Sequence, residues 1–210
     1  VLDRGNWADL PSAIAGADAV IHLAGINRAS DAELIDGNRS LAEAVTQAAE
    51  DAGVRPRVVY ANSIQAGNGT PYGTGKQAAA DAFAEATHRW GSTFVDVLLP
   101  NLFGEHGRPG YNSFVATFAH EVVAGRSPSV SGDREIELLH AQDAAAALIA
   151  AIGTDTAAEV VAGEPILISD VLAAFEQMRE IYSSRGEIPD LSTPMRRNLF
   201  NTYRAAAFPD

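Results

Sequence analysis

The chain has 210 residues, of which 47% are apolar and 20% charged, the profile of a globular domain long enough to bury a core. Fifteen basic against twenty-seven acidic residues give a net charge of −12 and a pI near 4.7, a field that repels nucleic acid and anionic membrane surfaces. With no cysteine, disulfides, thiol nucleophiles and protein-ligated iron–sulfur clusters are excluded. No apolar run approaches a membrane span and no leader pattern is visible, so the expected setting is the cytoplasm.

In chain order, Val1-Leu2-Asp3 reads as the remnant of a strand, with Arg4 just beyond it. Ala19-Val20-Ile21-His22-Leu23 is a buried strand ending at Ala24-Gly25. Ser30 caps a helix reaching about Ala52, with Leu34, Leu41, Val45 and Ala48 or Ala49 on one face and Gly53 as its stop. Residues 57–61 form the next buried strand and deliver Ser63 at its carboxyl end. A turn over residues 67–71 leads to a helix over residues 72–90, and residues 94–99 form a third strand, closed by Pro100-Asn101-Leu102-Phe103-Gly104. Trp7 and Trp90 read as packing residues, and Glu43, Glu50 and Asp51 as a solvated helix face.

The second half is less regular. Helices are expected over residues 111–125 and 143–152, and strands over residues 134–139 and 159–161. Residues 165–168 lead to Ser169, which caps a helix to about Tyr182; a loop-rich stretch over 183–194 precedes a last helix over 198–206.

Strands alternating with helices predict an α/β fold, a Rossmann-like doubly wound parallel sheet with helices on both faces. A ligand then belongs at the carboxyl ends of the strands. His22-Leu23-Ala24-Gly25, Ser63 and Asn101 all fall at such ends. The expected division is a partial nucleotide-binding domain over residues 1–110 and a small substrate lobe over residues 111–210, interleaved with the end of the sheet.

The chemistry is carried by Ser63 and, nine residues on, Tyr72-Gly73-Thr74-Gly75-Lys76. Positions 72 and 76 are one helical turn apart and share a face. An ammonium there favours the tyrosinate, which makes Tyr72 an acid or base suited to carbonyl–alcohol chemistry. Ser63 can hold the same oxygen by a hydrogen bond. Tyr-x-x-x-Lys alone is common by chance; a strand-end serine at this spacing makes it specific.

These residues resemble the extended short-chain dehydrogenase/reductase family, the NAD-dependent epimerases and dehydratases of nucleotide sugars. Within it they resemble the reductases of capsular polysaccharide synthesis, through His22-Leu23-Ala24-Gly25-Ile26-Asn27-Arg28, Ser63-Ile64-Gln65-Ala66, Pro100-Asn101-Leu102-Phe103-Gly104, Tyr111-Asn112-Ser113 and Asn201-Thr202-Tyr203. Leu139-His140-Ala141-Gln142-Asp143 is similar to the segment after the family's substrate loop.

The resemblance implies NADPH-dependent reduction of a UDP-linked 4-keto-6-deoxy amino sugar, with Ser63, Tyr72 and Lys76 catalytic. It places Arg4, Leu23, Ala24, Gly25, Asn38, Tyr72, Lys76 and Pro100 against the cofactor, NADP being preferred over NAD because Arg4 can pair with a 2′-phosphate. Asn38 is expected to act as a structural bridge. Gln65, Asn101, Asn112 and Arg134 are the substrate candidates, with Arg28, Arg108 and Arg126 as further diphosphate partners. His140 is expected to position rather than transfer protons, and His88, His106 and His120 lack metal-ligand spacing, so no metal is expected. A homodimer is expected through alanine-rich helices over residues 77–86 and 141–151.

Two departures stand out. No Gly-x-x-Gly-x-x-Gly precedes Val1, so the first βαβ unit, about 30 residues, is expected to be missing. Relatives of the capsular type carry a C-terminal cupin domain, and with the sequence ending at Asp210 the chain is expected to be a fragment to which that domain's activity does not carry over. The alternatives are a nucleotide-sugar 4-epimerase on the same trio, or a catalytically inactive nucleotide-binding fragment. A dehydratase is disfavoured because Ile64-Gln65 stands where an acidic pair is needed.

Overall fold

The computed structural model describes residues 1–208. The chain divides into two compact units, Val1–Leu99 with Ala145–Val161, and Pro100–Ala144 with Ala162–Asp210.

The first unit is built on a parallel sheet of β1 (Ala19–His22), β2 (Arg57–Ser63), β3 (Phe94–Leu99) and β6 (Ala158–Val160), in the order β1-β2-β3-β6. Parallel neighbours require crossovers, and these are supplied by α2 (Asp31–Asp51) between β1 and β2 and α3 (Pro71–Trp90) between β2 and β3. His22 pairs in register with Tyr60, Tyr60 with Asp96, and Ser63 with Leu99, so the three strands end along one edge. Strand periodicity and the flanking glycines made these elements legible.

Local chemistry sets the helix ends. The Ser30 hydroxyl accepts from the Glu33 amide while Glu33 accepts from the Ser30 amide, a complete capping box. Gly53 follows α2 at φ +67°, where a glycine carries no steric penalty. Thr70 caps α3, its side chain accepting from Gly73 N. The buried stripe of α2 runs Asn38, Ala42, Val45 and Ala49; Leu34 and Leu41, expected on that face, are only half-buried at its margin.

Helix α3 meets α2 through a glycine. A Cβ on Gly75 would lie 2.1 Å from the Leu34 carbonyl oxygen. Ala79, Ala80 and Phe83 of α3 then share one core with Ala42, Val45 and Ala49 of α2 and with Leu10, Ile14 and Tyr60. Of the alanines over residues 77–86, Ala79, Ala80 and Ala86 are buried, Ala78 and Ala82 are half-buried and Ala84 is exposed, beside Gln77, Asp81, Glu85 and Arg89 on the outer face of α3.

Val1-Leu2-Asp3 is not a strand. It leads into a turn in which Asp3 accepts from Gly5 N, then a 3₁₀ turn (Trp7–Asp9) and a short helix α1 (Leu10–Ile14). With no strand on its far side among the described residues, β1 is the edge of the sheet, and an apolar groove lined by Leu2, Trp7, Leu10, Val20, Leu148 and Ile149 runs beside it.

The second unit holds a three-stranded sheet, β4 (Asn101–Phe103) parallel to β5 (Glu135–His140), and β5 antiparallel to β7 (Glu164–Leu167). Helices α4 (Phe114–Val123), α6 (Ile168–Met178) and α7 (Pro194–Ala207) enclose a core of Phe103, Val115, Phe118, Leu138, Phe175 and Tyr203. Helix α5 (Ala141–Ala151) starts in this unit, and its residues from Ala145 onward count with the first.

Several boundaries differ from expectation. Ser113 caps α4, so residues 111–113 lie outside it. Ser169 does not cap α6; it sits inside the first turn, where Asp133 accepts from both its amide (3.0 Å) and its hydroxyl (2.7 Å). The capping oxygen thus comes from a distant segment. Thr193 caps α7, which starts at Pro194, and a π-helical turn (Arg179–Ser184) extends α6 into the expected loop. Among the described residues, no helix is long and apolar enough to cross a membrane.

Candidate active site at the carboxyl ends of the parallel strands

Ser63 is the last residue of β2, and Tyr72 and Lys76 lie on the first turns of α3. The intervening turn is tight: Gly67 N donates to Gly73 O at 3.0 Å, and a Cβ on Gly73 would lie 2.2 Å from Gln65 O. Gly73 is therefore what lets α3 begin against the Ser63 loop. Gln65 N donates to Ser63 Oγ at 3.2 Å, and the Ser63 side chain acts to lower the Tyr72 phenol.

The electrostatics differ from the spacing argument in one respect. Burial raises the Tyr72 phenol above its ordinary value, with the Ser63 side chain acting in the opposite direction. The Lys76 ammonium is turned inward. Lys76, the only lysine in the chain, is 5% exposed. Its Nζ donates to Ala61 O at 2.7 Å and lies 4.1 Å from the Tyr60 ring centroid. Burial lowers Lys76 from 10.5 to about 8, with Asp96 acting to raise it.

Next to this trio, residues 23–25 follow β1 at the same edge, with Leu23 and Gly25 exposed. Asn38, 1% exposed, fixes this loop: its Nδ2 donates to Ile26 O (2.8 Å) and Leu34 O (2.7 Å), and its Oδ1 accepts from Ile26 N (3.0 Å). Its carboxamide is thus spent on backbone, a bridge from α2 to the β1 loop rather than a ligand contact. Arg4 is exposed in the N-terminal turn.

The remaining candidates lie in the second unit. Pro100 is buried just before β4, and Asn101 donates to Glu137 O at 3.2 Å, so its amide supports the β4–β5 pair. Asn112 and Arg134 are exposed. Arg126 is committed to an ion pair with Glu121, and Arg108 lies 5.4 Å from the Tyr111 ring centroid. His140, buried, meets Glu105 Oε2 at 3.0 Å and packs edge-on against Phe103.

Sequence reasoning passed over His22, Tyr60, Asn62 and Asp96 as a group. They form a polar row beneath α3 and leave His22 Nε2, Tyr60 Oη and Asp96 Oδ1 buried without a protein partner. The signal was present: a carboxylate inside Phe94-Val95-Asp96-Val97-Leu98-Leu99 breaks a buried strand pattern.

His22 carries a pH-linked stability term. Burial, then the Lys76 charge, lowers it from 6.5 to about 4, with a bond to the Ala24 backbone acting in the opposite direction. Between those values the unfolded chain takes up a proton that the folded chain refuses, so stability falls as pH drops through that window. The loss is on the order of 3 kcal/mol. Urea unfolding at neutral pH and near pH ~4.5 should show a smaller acid loss for His22→Phe than for wild type; equal losses would contradict this assignment.

A doubly wound parallel sheet with a serine, tyrosine and lysine assembled at its carboxyl edge defines the class of nucleotide-dependent oxidoreductases and epimerases. Residues 1–163 match the NAD dependent epimerase/dehydratase family, and the chain belongs to it. It is 30% identical over 205 residues to the UDP-2-acetamido-2,6-beta-L-arabino-hexul-4-ose reductase of Pseudomonas aeruginosa, covering 95% of this chain and 55% of the relative. The chain therefore spans about half the length of that curated relative. Among solved structures, the capsular polysaccharide assembling protein CapF of Staphylococcus aureus superposes with a TM-score of 0.80 at 23% identity, over 97% of this chain and 56% of that one. The UDP-N-acetylglucosamine 4-epimerase of Bacillus cereus gives a TM-score of 0.75 at 17% identity, over 99% and 82%. These two likenesses establish the fold, Rossmann-like with a parallel sheet.

Proposed function

We propose that this chain carries the proton-transfer machinery of an NADPH-dependent reductase acting at C4 of a UDP-linked 4-keto-6-deoxy amino sugar. The observation that carries the reading is the convergence at one strand edge of Ser63, which ends β2, with Tyr72 and Lys76 on the first turns of α3 across a tight turn. Burial keeps Tyr72 a neutral phenol at physiological pH, the form that can donate a proton to a developing alkoxide. Ser63 Oγ orients the same oxygen and stabilises its charge. Lys76 places a positive charge below the pair.

The strand-end loop suits a dinucleotide: Gly25 exposes backbone without a side chain, and Asn38 holds it rigid. A bound nicotinamide supplies the hydride. Leu23, Ala24, Gly25 and Tyr72 would hold it, and Lys76, which gives one of its three N–H donors to Ala61, would reach its ribose. Pro100 is proposed beside the nicotinamide and Arg4 at the 2′-phosphate that distinguishes NADP. Gln65, Asn112 and Arg134 are proposed for the sugar diphosphate.

The test is oxidation of NADPH by the full-length protein in the presence of a UDP-4-keto-6-deoxy amino sugar, with NADH for comparison. Net cofactor oxidation with formation of the C4 alcohol is expected. Interconversion of C4 epimers without net oxidation would replace this reading by the 4-epimerase one. Nucleotide binding without turnover would replace it by a binding module.

A further inference from the structure

The trio at the strand edge rests on a buried polar row that crosses three strands. His22, Tyr60 and Asp96 occupy in-register positions of β1, β2 and β3 and so point to one face of the sheet. That face is covered by α3: the rings of His22 and Tyr60 lie 5.0 and 5.5 Å from Phe83, and Lys76 sits over Tyr60. Two residues further along β2 on the same face, Asn62 is 3% exposed. Its Nδ2 donates to Asp96 Oδ2 at 3.1 Å, and its Oδ1 accepts from Ser63 N at 2.9 Å. A continuous path therefore runs from Asp96 through Asn62 to the backbone of Ser63.

We propose that Asp96, in the middle of β3, is a positioning residue for the proton-transfer trio: it anchors Ser63 through Asn62 and supplies the buried counter-charge for Lys76. This deepens the reductase reading and rests on it for its catalytic meaning. A carboxylate inside an apolar strand is costly unless it is hydrogen-bonded or paired. One Asp96 oxygen is bonded to Asn62, and the other is closed off with no hydrogen-bond partner. The lone lysine of the chain is the cation on the same face. The ionisable groups acting on this face are His22 from β1, Tyr60 from β2, Asp96 from β3, and Tyr72, Lys76 and Asp81 from α3. The buried face of α2 adds none, since it presents Asn38, Ala42, Val45, Thr46, Ala48 and Ala49.

The mutual effects agree in direction: Asp96 raises Lys76, and Lys76 lowers Asp96. Burial opposes both and is the larger influence on each. Removing the carboxylate charge takes away the anion that opposes desolvation of Lys76. Its ammonium then deprotonates at lower pH, and the buried positive charge one helical turn from Tyr72 is lost within the working range.

Because the chain has one lysine, incorporation of [ε-¹³C]lysine gives a single side-chain resonance whose pH titration reads Lys76 directly, without cofactor or substrate. Asp96→Asn keeps shape and an acceptor oxygen but removes the charge. It should move the Lys76 midpoint down by on the order of half a pH unit or more. Asp96→Ala also removes the anchor of Asn62 and should accelerate Ser63 amide exchange roughly tenfold, as expected for loss of one hydrogen bond, whereas Asp96→Asn should not. In turnover, Asp96→Asn should lower kcat with little change in KM and shift the alkaline limb of the rate profile to lower pH. An unchanged Lys76 midpoint in Asp96→Asn overturns the inference, even if Asp96→Ala fails to fold. Absence of turnover in the wild type would instead remove the reductase reading, while the Lys76 titration would still decide whether Asp96 holds the lysine charge.

Discussion

Tyr72→Phe should abolish most reductase turnover while leaving the fold intact. Among the described residues of the first unit, the phenol is the acid placed against Ser63, and general acid catalysis is worth about 10²–10⁴-fold. The substitution removes one oxygen from a half-buried side chain, a stability term of about 1 kcal/mol. The expected result is therefore a kcat lowered by at least about 10²-fold, a KM close to wild type and a nearly unchanged unfolding midpoint. The pH dependence carries the sign of the mechanism. If Tyr72 acts as the acid over a protonated Lys76, reduction should slow as pH rises past about 8, where Lys76 loses its charge. A mechanism using tyrosinate as base would speed up instead. Full activity in Tyr72→Phe would leave the strand-edge geometry without its assigned chemistry.

Gly75→Ala should destabilise the first unit strongly, although alanine is normally the better helix former. Replacing a helical glycine by alanine usually gains about 0.5–1 kcal/mol. Here the new methyl would lie 2.1 Å from the Leu34 carbonyl oxygen and 3.2 Å from the Ile35 Cα. Both contacts are backbone, so relief requires α2 and α3 to move apart along their shared core. Overpacking of this kind costs about 1–3 kcal/mol, occasionally more. With the helix gain subtracted, a net loss of about 2 kcal/mol is expected, or roughly 4–8 °C in Tm for a chain of this size. Gly16, where a Cβ would meet nothing within 4 Å, is the control: Gly16→Ala should be neutral or mildly stabilising. Equal effects at the two positions would mean that α2 and α3 do not approach as described. Because Gly75 lies between Tyr72 and Lys76, the same substitution should also lower turnover, by tilting both side chains.

The sequence by itself determined the first unit in most of its parts. Period and punctuation identified β1, β2 and β3, and Ser30 with Glu33, Gly53 and the turn before Pro71 bounded α2 and α3, because capping and strand alternation act over a few residues. The same local spacing brought Ser63, Tyr72 and Lys76 to one strand edge, and Asn38 acts as the bridge expected of it. What spacing could not determine is where each side chain spends its hydrogen bonds. The direction of Lys76, turned to Ala61 and Tyr60 rather than toward Tyr72, depends on which strands flank β2. So does the row of His22, Tyr60 and Asp96, since register across β1, β2 and β3 joins residues that lie far apart in the chain. Composition does not say which alanines of α3 a neighbouring helix buries. The approach of α2 over Gly75 decided that for Ala79 and Ala80. Likewise the capping of α6 by Asp133 was decided by a partner that lies elsewhere in the chain, which no local pattern reports.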